Sequence, residues 1–269
     1  MEIRKHFEYN PILDLTVAQI GINKWNWTSI ENEDEVLAKE IMKKNKFDVL
    51  PITESDGKTN KYYSTRTWGD YNQLNLNKIE KTKTIYYRTS LADLIQKFNE
   101  EEEHYFFLAN NKDVLGLVSF VNLNCFAVYN YLFQIIADIE QSVAVKLKEH
   151  INEDEIIKSF SESQDSHLLN IISEFQNSRK HNVDSNIFEH MYLQTIGITI
   201  NKFLNHLPKN LKSLNKFSKK FSPEGTYGEV RNKVMHPVRP ILSDRTSIGK
   251  INELLSDYHI IKETLNIKP

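Results

Sequence analysis

The hydrophobic pattern of the chain changes character near residue 123, and this limits the architecture more than any other feature. Before that point, short runs of β-branched and aromatic residues alternate with stretches of helical periodicity. After it, nearly every segment carries apolar residues three and four apart. This order predicts an α+β protein, with an α/β part over 1–123 and an all-helical part over 124–269. A length of 269 residues suits two such domains.

Composition then removes several function classes. The chain is 40% apolar and 26% charged, enough to bury a core and too apolar for a disordered polyelectrolyte. With 34 basic and 36 acidic residues the net charge is −2, so any nucleic-acid surface must be local. Cys125 is the single cysteine, which excludes an internal disulfide framework and a cysteine-based zinc site and suits a reducing, cytoplasmic setting. No stretch approaches 18 consecutive apolar residues, and the start (MEIRKHFEYN) has no apolar signal-peptide core, so no membrane partner is expected. Neither GxGxxG nor GxxxxGK[ST] occurs, which argues against a Rossmann or P-loop phosphate cradle.

The first half contains an internal repeat. In copy one, an extended entry at 27–30 leads to a helix, EDEVLAKEIMKKNKF (33–47). Its apolar stripe is Val36, Ile41 and Met42, with acids at its start and Lys43 and Lys44 at its end. A strand at 48–52, a turn at Asp56-Gly57, a strand at Tyr62-Tyr63 and Thr67-Trp68-Gly69-Asp70 follow. Copy two repeats the order: Thr89-Ser90 as cap, the helix LADLIQKFN (91–99), strands at 105–108 and 114–119, and Ser119-Phe120-Val121-Asn122. This order, best seen in FDVLPI (47–52) and VLGLVSFVNL (114–123), resembles a cystathionine-β-synthase (CBS) pair over 15–123. The resemblance implies a regulatory adenine nucleotide (ATP, ADP, AMP or a relative), with the hydroxyl holding phosphate and the acid holding ribose. Carried over, those positions are Thr67 and Asp70 in copy one and Ser119 and Asn122 in copy two. Asn122 stands where the family has an acid, and copy one lacks a glycine equivalent to Gly116. Read from the residues alone, Thr67 and Ser119 serve equally well as helix caps on a scaffold.

The second half predicts an up-and-down bundle of about five helices. The longest stretch, 128–151, places Leu132, Ile135, Ile136, Ile139, Val143 and Leu147 on one face. Further helical patterns lie near 154–160, 167–176 and 188–204. Ser222-Pro223-Glu224 reads as a helix opening for a helix running to Met235, where Pro237 disfavours α conformation at His236. A last helix spans about 246–265.

The sharpest motif is Arg231-Asn232-Lys233-Val234-Met235-His236-Pro237. It places a fixed cation, an amide and an imidazole within six residues. In a regular helix Arg231 and His236 would point about 140° apart, but Pro237 should break that geometry. Metal-free RNA cleavage needs proton transfers from the 2′-OH and to the 5′ oxygen, together with stabilisation of charge on phosphorus. Imidazole serves the first need, at about 10²–10⁴-fold, and a guanidinium fork the second. One chain brings one such His, so two motifs facing across a twofold axis would supply both acid and base.

An Arg-x4–6-His motif near the penultimate helix of a helical bundle resembles the HEPN superfamily, here over 125–269. The resemblance implies a metal-independent endoribonuclease acting as a homodimer. Its products would carry 2′,3′-cyclic phosphate and 5′-OH ends, and its role would lie among toxins or antiviral effectors. The site residues it implies are Arg231, Asn232 and His236, with no cofactor or metal for catalysis. An acidic residue on the first helix supports the motif in some members, and Glu140 is the candidate equivalent. Members silenced by adenylylation carry Tyr two residues after the His; Val238 stands there.

Charge supplies an independent pointer. From 202 to 239 nine basic residues face two acids, +7 locally against −2 for the chain. Lys216, Lys219, Lys220, Lys233 and Arg239 are the expected RNA contacts. Two other readings stay open: a nucleotide-responsive RNA-binding or adaptor protein that does not cleave, and a structural scaffold with a solvated Lys-rich loop.

Overall fold

The computed structural model describes residues 15–267 apart from Trp68, Glu102, Asn182 and Pro237. The chain is a mixed α+β protein in two compact units that divide after Cys125. The breaker expected at Pro237, and Trp68 of the copy-one turn, lie outside the described residues.

In the first unit, α1 (Val17–Ile20) and β1 (Ile22–Asn23) precede copy one, which comprises α2 (Glu35–Asn45), β2 (Val49–Ile52) and β3 (Lys61–Thr65). Asp34 caps α2 by accepting from the Leu37 N–H at 3.0 Å. Ile30 forms an isolated parallel bridge to Ile52, and β2 pairs antiparallel with β3. Copy two repeats that topology with β5 (Thr84–Tyr86), α3 (Leu91–Glu101), β6 (Tyr105–Ala109) and β7 (Val114–Ser119). There β5 is parallel to β6, and β6 antiparallel to β7. Ser90 caps α3 through the Asp93 N–H.

The two copies belong to separate sheets, ordered β2-β3-β4 and β1-β7-β6-β5. Copy one departs from expectation after β3. Instead of a helix opening at Thr67, the chain makes a turn in which the Asp70 N–H donates to the Thr67 carbonyl, with Gly69 at φ +78°. It then returns as β4 (Leu74–Lys78) along β3. The alternation Leu74-Asn75-Leu76-Asn77 is the signal for that strand. A second correction concerns α2: Val36 is 71% exposed, and the core of copy one gathers Ala38 and Met42 against Ile30, Leu50, Ile52 and Tyr63.

The second unit has six helices of nine or more residues among the described residues: α4 (Phe126–Lys148), α5 (Glu153–Ser161), α6 (Ser166–Lys180), α7 (Leu193–Lys202), α9 (Thr226–Val234) and α10 (Arg245–Thr264). A single-turn α8 (Lys209–Lys212) lies between α7 and α9. The six apolar positions read on α4 are all buried, as are Ile248, Ile251, Leu254, Leu255, Tyr258 and Ile261 on α10. Polar bonds reinforce this core: Tyr258 donates to Asp138, which also pairs with the buried Lys262.

Two helix limits differ from the periodicity. The stretch 188–204 is broken into a 3-10 turn (Ile187–His190) and α7, because Met191 and Tyr192 are extended. The helix expected to open at Ser222 starts at Thr226 with Gly225 at its cap. The segment before it folds back on the helix: the Lys220 carbonyl accepts from the Tyr227 N–H at 3.0 Å, and Ser222 lies so close to Gly228 that a Cβ there would come within 2.0 Å of its carbonyl oxygen. Only glycine fits that approach.

Candidate functional site

Helix α9 carries the motif, and its two faces have different tasks. Tyr227, Val230 and Val234, three and four apart, point into the core, and the Tyr227 hydroxyl donates to Asp257 at 2.8 Å. On the other side Gly228, Arg231 and Asn232 form one wall of a groove of about 250 Å³. Because Gly228 lacks a side chain, the chain at Pro223 can close one end of this groove.

Arg231 is held from two sides. Its Nε lies 3.4 Å from Glu140 Oε1, and its guanidinium stands 5.5 Å from the centre of the Tyr192 ring. The same Glu140 oxygen accepts from the Leu193 N–H at 3.0 Å, so it caps α7. That cap, supplied by α4 from 53 positions away, explains why the helix restarts at Leu193 where periodicity alone runs straight through. Burial raises the Glu140 pKa above the ordinary carboxylate value, although the Leu193 N–H and Arg231 both favour its ionised form. Arg231 pairs through Nε, and among the described residues no hydrogen bond engages its Nη atoms, so the tip of the guanidinium fork can meet an anion.

Arg231 and Asn232 therefore share one groove. His236 does not line it. It sits two residues beyond the end of α9, exposed, and its carbonyl accepts from the Arg239 N–H at 2.9 Å. The loop that bears it is pinned on both sides, by Tyr129 donating to the Arg239 carbonyl and by Lys233 Nζ donating to the Ile241 carbonyl at 3.0 Å.

Two of the expected RNA contacts need correction. Lys220 Nζ pairs with Asp257 and Glu253, and Lys233 Nζ also bonds Ser247 Oγ at 3.1 Å, so both ammonium groups are engaged inside the unit. Lys216, Lys219 and Arg239 are exposed.

The first unit holds a separate cleft of about 380 Å³. Ser119 and Asn122 line it beside Trp27, Phe47, Asp48 and Tyr105. Ser119 and Asn122 are also bonded to each other: the Asn122 Oδ1 accepts from both the N–H and the hydroxyl of Ser119, at 2.7 and 2.8 Å, at the head of a 3-10 turn. The cap reading thus describes Ser119. Thr67 and Asp70 do not line this cleft. Asp70 borders another hollow with Lys39 and Lys43, and its Oδ1 accepts from the Asn72 N–H. Asp48, which sequence reasoning passed over, closes the copy-one turn by accepting from Thr65 Oγ1 and the Gly69 N–H.

Among the described residues, no helix is long and apolar enough to cross a membrane, and no three His, Cys, Asp or Glu side chains are grouped to hold a metal ion. The chain matches no protein-family model and no curated protein.

Proposed function

We propose that the chain is a metal-independent endoribonuclease of the HEPN type, with an adenine nucleotide bound in a CBS-pair-like N-terminal unit as its regulator. The observation that carries this reading is the support of Arg231 by Glu140 from the first helix of the bundle, beside Asn232 and five residues before His236. An imidazole takes the 2′-OH proton while the 2′ oxygen attacks phosphorus. The guanidinium tip meets the charge that gathers on the phosphoryl oxygens, and a second imidazole protonates the departing 5′ oxygen. The products are a 2′,3′-cyclic phosphate and a 5′-OH. Two imidazoles call for two chains, hence a homodimer with apposed motifs. Val238, 93% exposed, and the half-exposed Met235 and Tyr192 give the motif an apolar rim of the sort a partner subunit covers. A role as toxin or antiviral effector in the cytoplasm follows from the family likeness.

One observation favours a second reading, an RNA-binding adaptor that does not cleave: in the single chain His236 lies outside the groove that holds Arg231 and Asn232. The test is cleavage of labelled single-stranded RNA in EDTA, with and without ATP or AMP, beside His236→Ala. Cyclic-phosphate products from the wild type alone establish the nuclease, and a nucleotide effect assigns the first unit. RNA retention without cleavage by either protein establishes the adaptor.

A further inference from the structure

The groove beside Arg231 gathers the motif's own Asn232 with two polar side chains that neither the motif nor the fold uses. Gln194 is on the first turn of α7, His167 on the first turn of α6, and Asn232 on α9. They come from positions 27 to 65 apart in the chain and converge on one cavity. None of the three side chains hydrogen-bonds another described residue; His167 and Asn232 are exposed at the mouth of the groove and Gln194 is half-buried. Tyr192, 48% exposed, lines the same groove, with the Arg231 guanidinium 5.5 Å from the centre of its ring.

These are the components by which proteins hold an unpaired RNA base: a flat aromatic or guanidinium surface for stacking, amides and an imidazole for the base edge, and a cation for the adjoining phosphate. At about 250 Å³ the groove is smaller than the ~300–1,000 Å³ of a drug-sized site, and its size suits one base. Arg231 is the one Lys, Arg, Asp or Glu among its described lining residues, so it provides no second fixed cation for a phosphate. Asn and Gln each present a donor and an acceptor side by side, which only some base edges complement.

We infer that this groove seats one unpaired nucleobase next to the phosphate held by Arg231, and that Gln194, with His167 and Asn232, selects which base is accepted. This rests on the ribonuclease reading for its substrate class, and its test does not depend on cleavage. Binding of eight-residue oligo(A), oligo(C) and oligo(U) is measured by fluorescence anisotropy on full-length His236→Ala protein, then with Gln194→Ala or Gln194→Glu added. The expected result is a preference of about tenfold or more for one oligomer. Either Gln194 change collapses that preference, while affinity for the weakest oligomer stays the same. Equal binding of all three, or a preference untouched by both Gln194 changes, by His167→Ala and by Asn232→Ala, overturns the inference. Circular dichroism on each variant separates loss of fold from loss of selectivity. Selective, Gln194-dependent binding without cleavage by the wild type keeps the base seat and removes the nuclease; cleavage with no base preference does the reverse.

Discussion

The groove of the helical unit and the cleft of the N-terminal unit are both lined by polar side chains, yet those side chains are in opposite states. In the cleft, Ser119 and Asn122 satisfy one another as a cap, and Asp48 nearby is taken up by a turn. In the groove, the side chains of Gln194, Asn232 and His167 bond to no described residue, while Glu140 beside Arg231 does the structural work. An engaged polar group chiefly stabilises the fold, because its removal leaves a partner unsatisfied. An unengaged one contributes little to stability and keeps its bonding capacity for a ligand. Residue type alone does not separate the two.

Substitutions can break this contrast or sharpen it. The largest effect is expected at His236. His236→Ala should lower RNA cleavage by about 10²–10⁴-fold, yet shift unfolding stability by no more than about 0.5 kcal/mol, as for an exposed side chain. Parallel turnover assays and urea titrations would show both. Next comes Glu140→Ala, which strands the Leu193 N–H and a half-buried guanidinium; about 1–3 kcal/mol of stability should be lost. Glu140→Gln keeps an acceptor for Leu193 and should cost clearly less.

That pair of variants also has a pH signature. Burial raises the folded-state pKa of Glu140 above its ordinary 4.5. A raised carboxyl binds its proton more tightly in the folded chain. Its contribution to stability is therefore fully present below 4.5 and lost as pH rises through the folded value. Urea titrations across this range should show wild type gaining on Glu140→Gln as pH falls.

Lysines show the contrast at a smaller scale. Lys220→Ala should cost about 1–2 kcal/mol by unpairing Asp257 and Glu253. Lys216→Ala and Lys219→Ala should leave stability unchanged and each reduce the salt slope of single-strand RNA binding by about 0.7. A stability loss in Lys216→Ala equal to that of Lys220→Ala would erase the distinction. The smallest effect belongs to Asn122→Ala, where loss of the 3-10 cap should cost about 0.5–1 kcal/mol, confined to the first unit.

Much of the helical framework was legible because apolar spacing reports directly which face is buried. The stripes of α4 and α10 lie where their residues place them, and Asp34 and Ser90 cap the helices they precede. Legibility failed where a distant group determined the outcome. The break before Leu193 depends on a carboxylate from another helix, and the start of α9 depends on a carbonyl from Lys220 that takes over the cap otherwise assigned to Ser222. Copy one carries the same Thr-x-x-Asp string that suggests a helix opening, but Asp48 folds it into a turn leading to β4. At the site, Arg231 and its acidic support were readable, the latter from the family likeness alone. His167 and Gln194 were not, since nothing in their own neighbourhoods marks them and only the packing of α6 and α7 brings them to α9. Among the lysines, charge density identified the segment but not which ammonium groups are already paired.

One oxygen of Glu140 serves both the Leu193 N–H and Arg231. The start of α7 and the cation on α9 are thereby coupled mechanically: one wall of the groove cannot swing away while the other keeps its bond. Opening should then be a single event with one rate, and the Leu193 amide becomes a built-in reporter of it. Its hydrogen exchange should slow when an anion locks Arg231 in place and quicken when Glu140 is replaced, so the state of the groove can be followed without any label on the RNA.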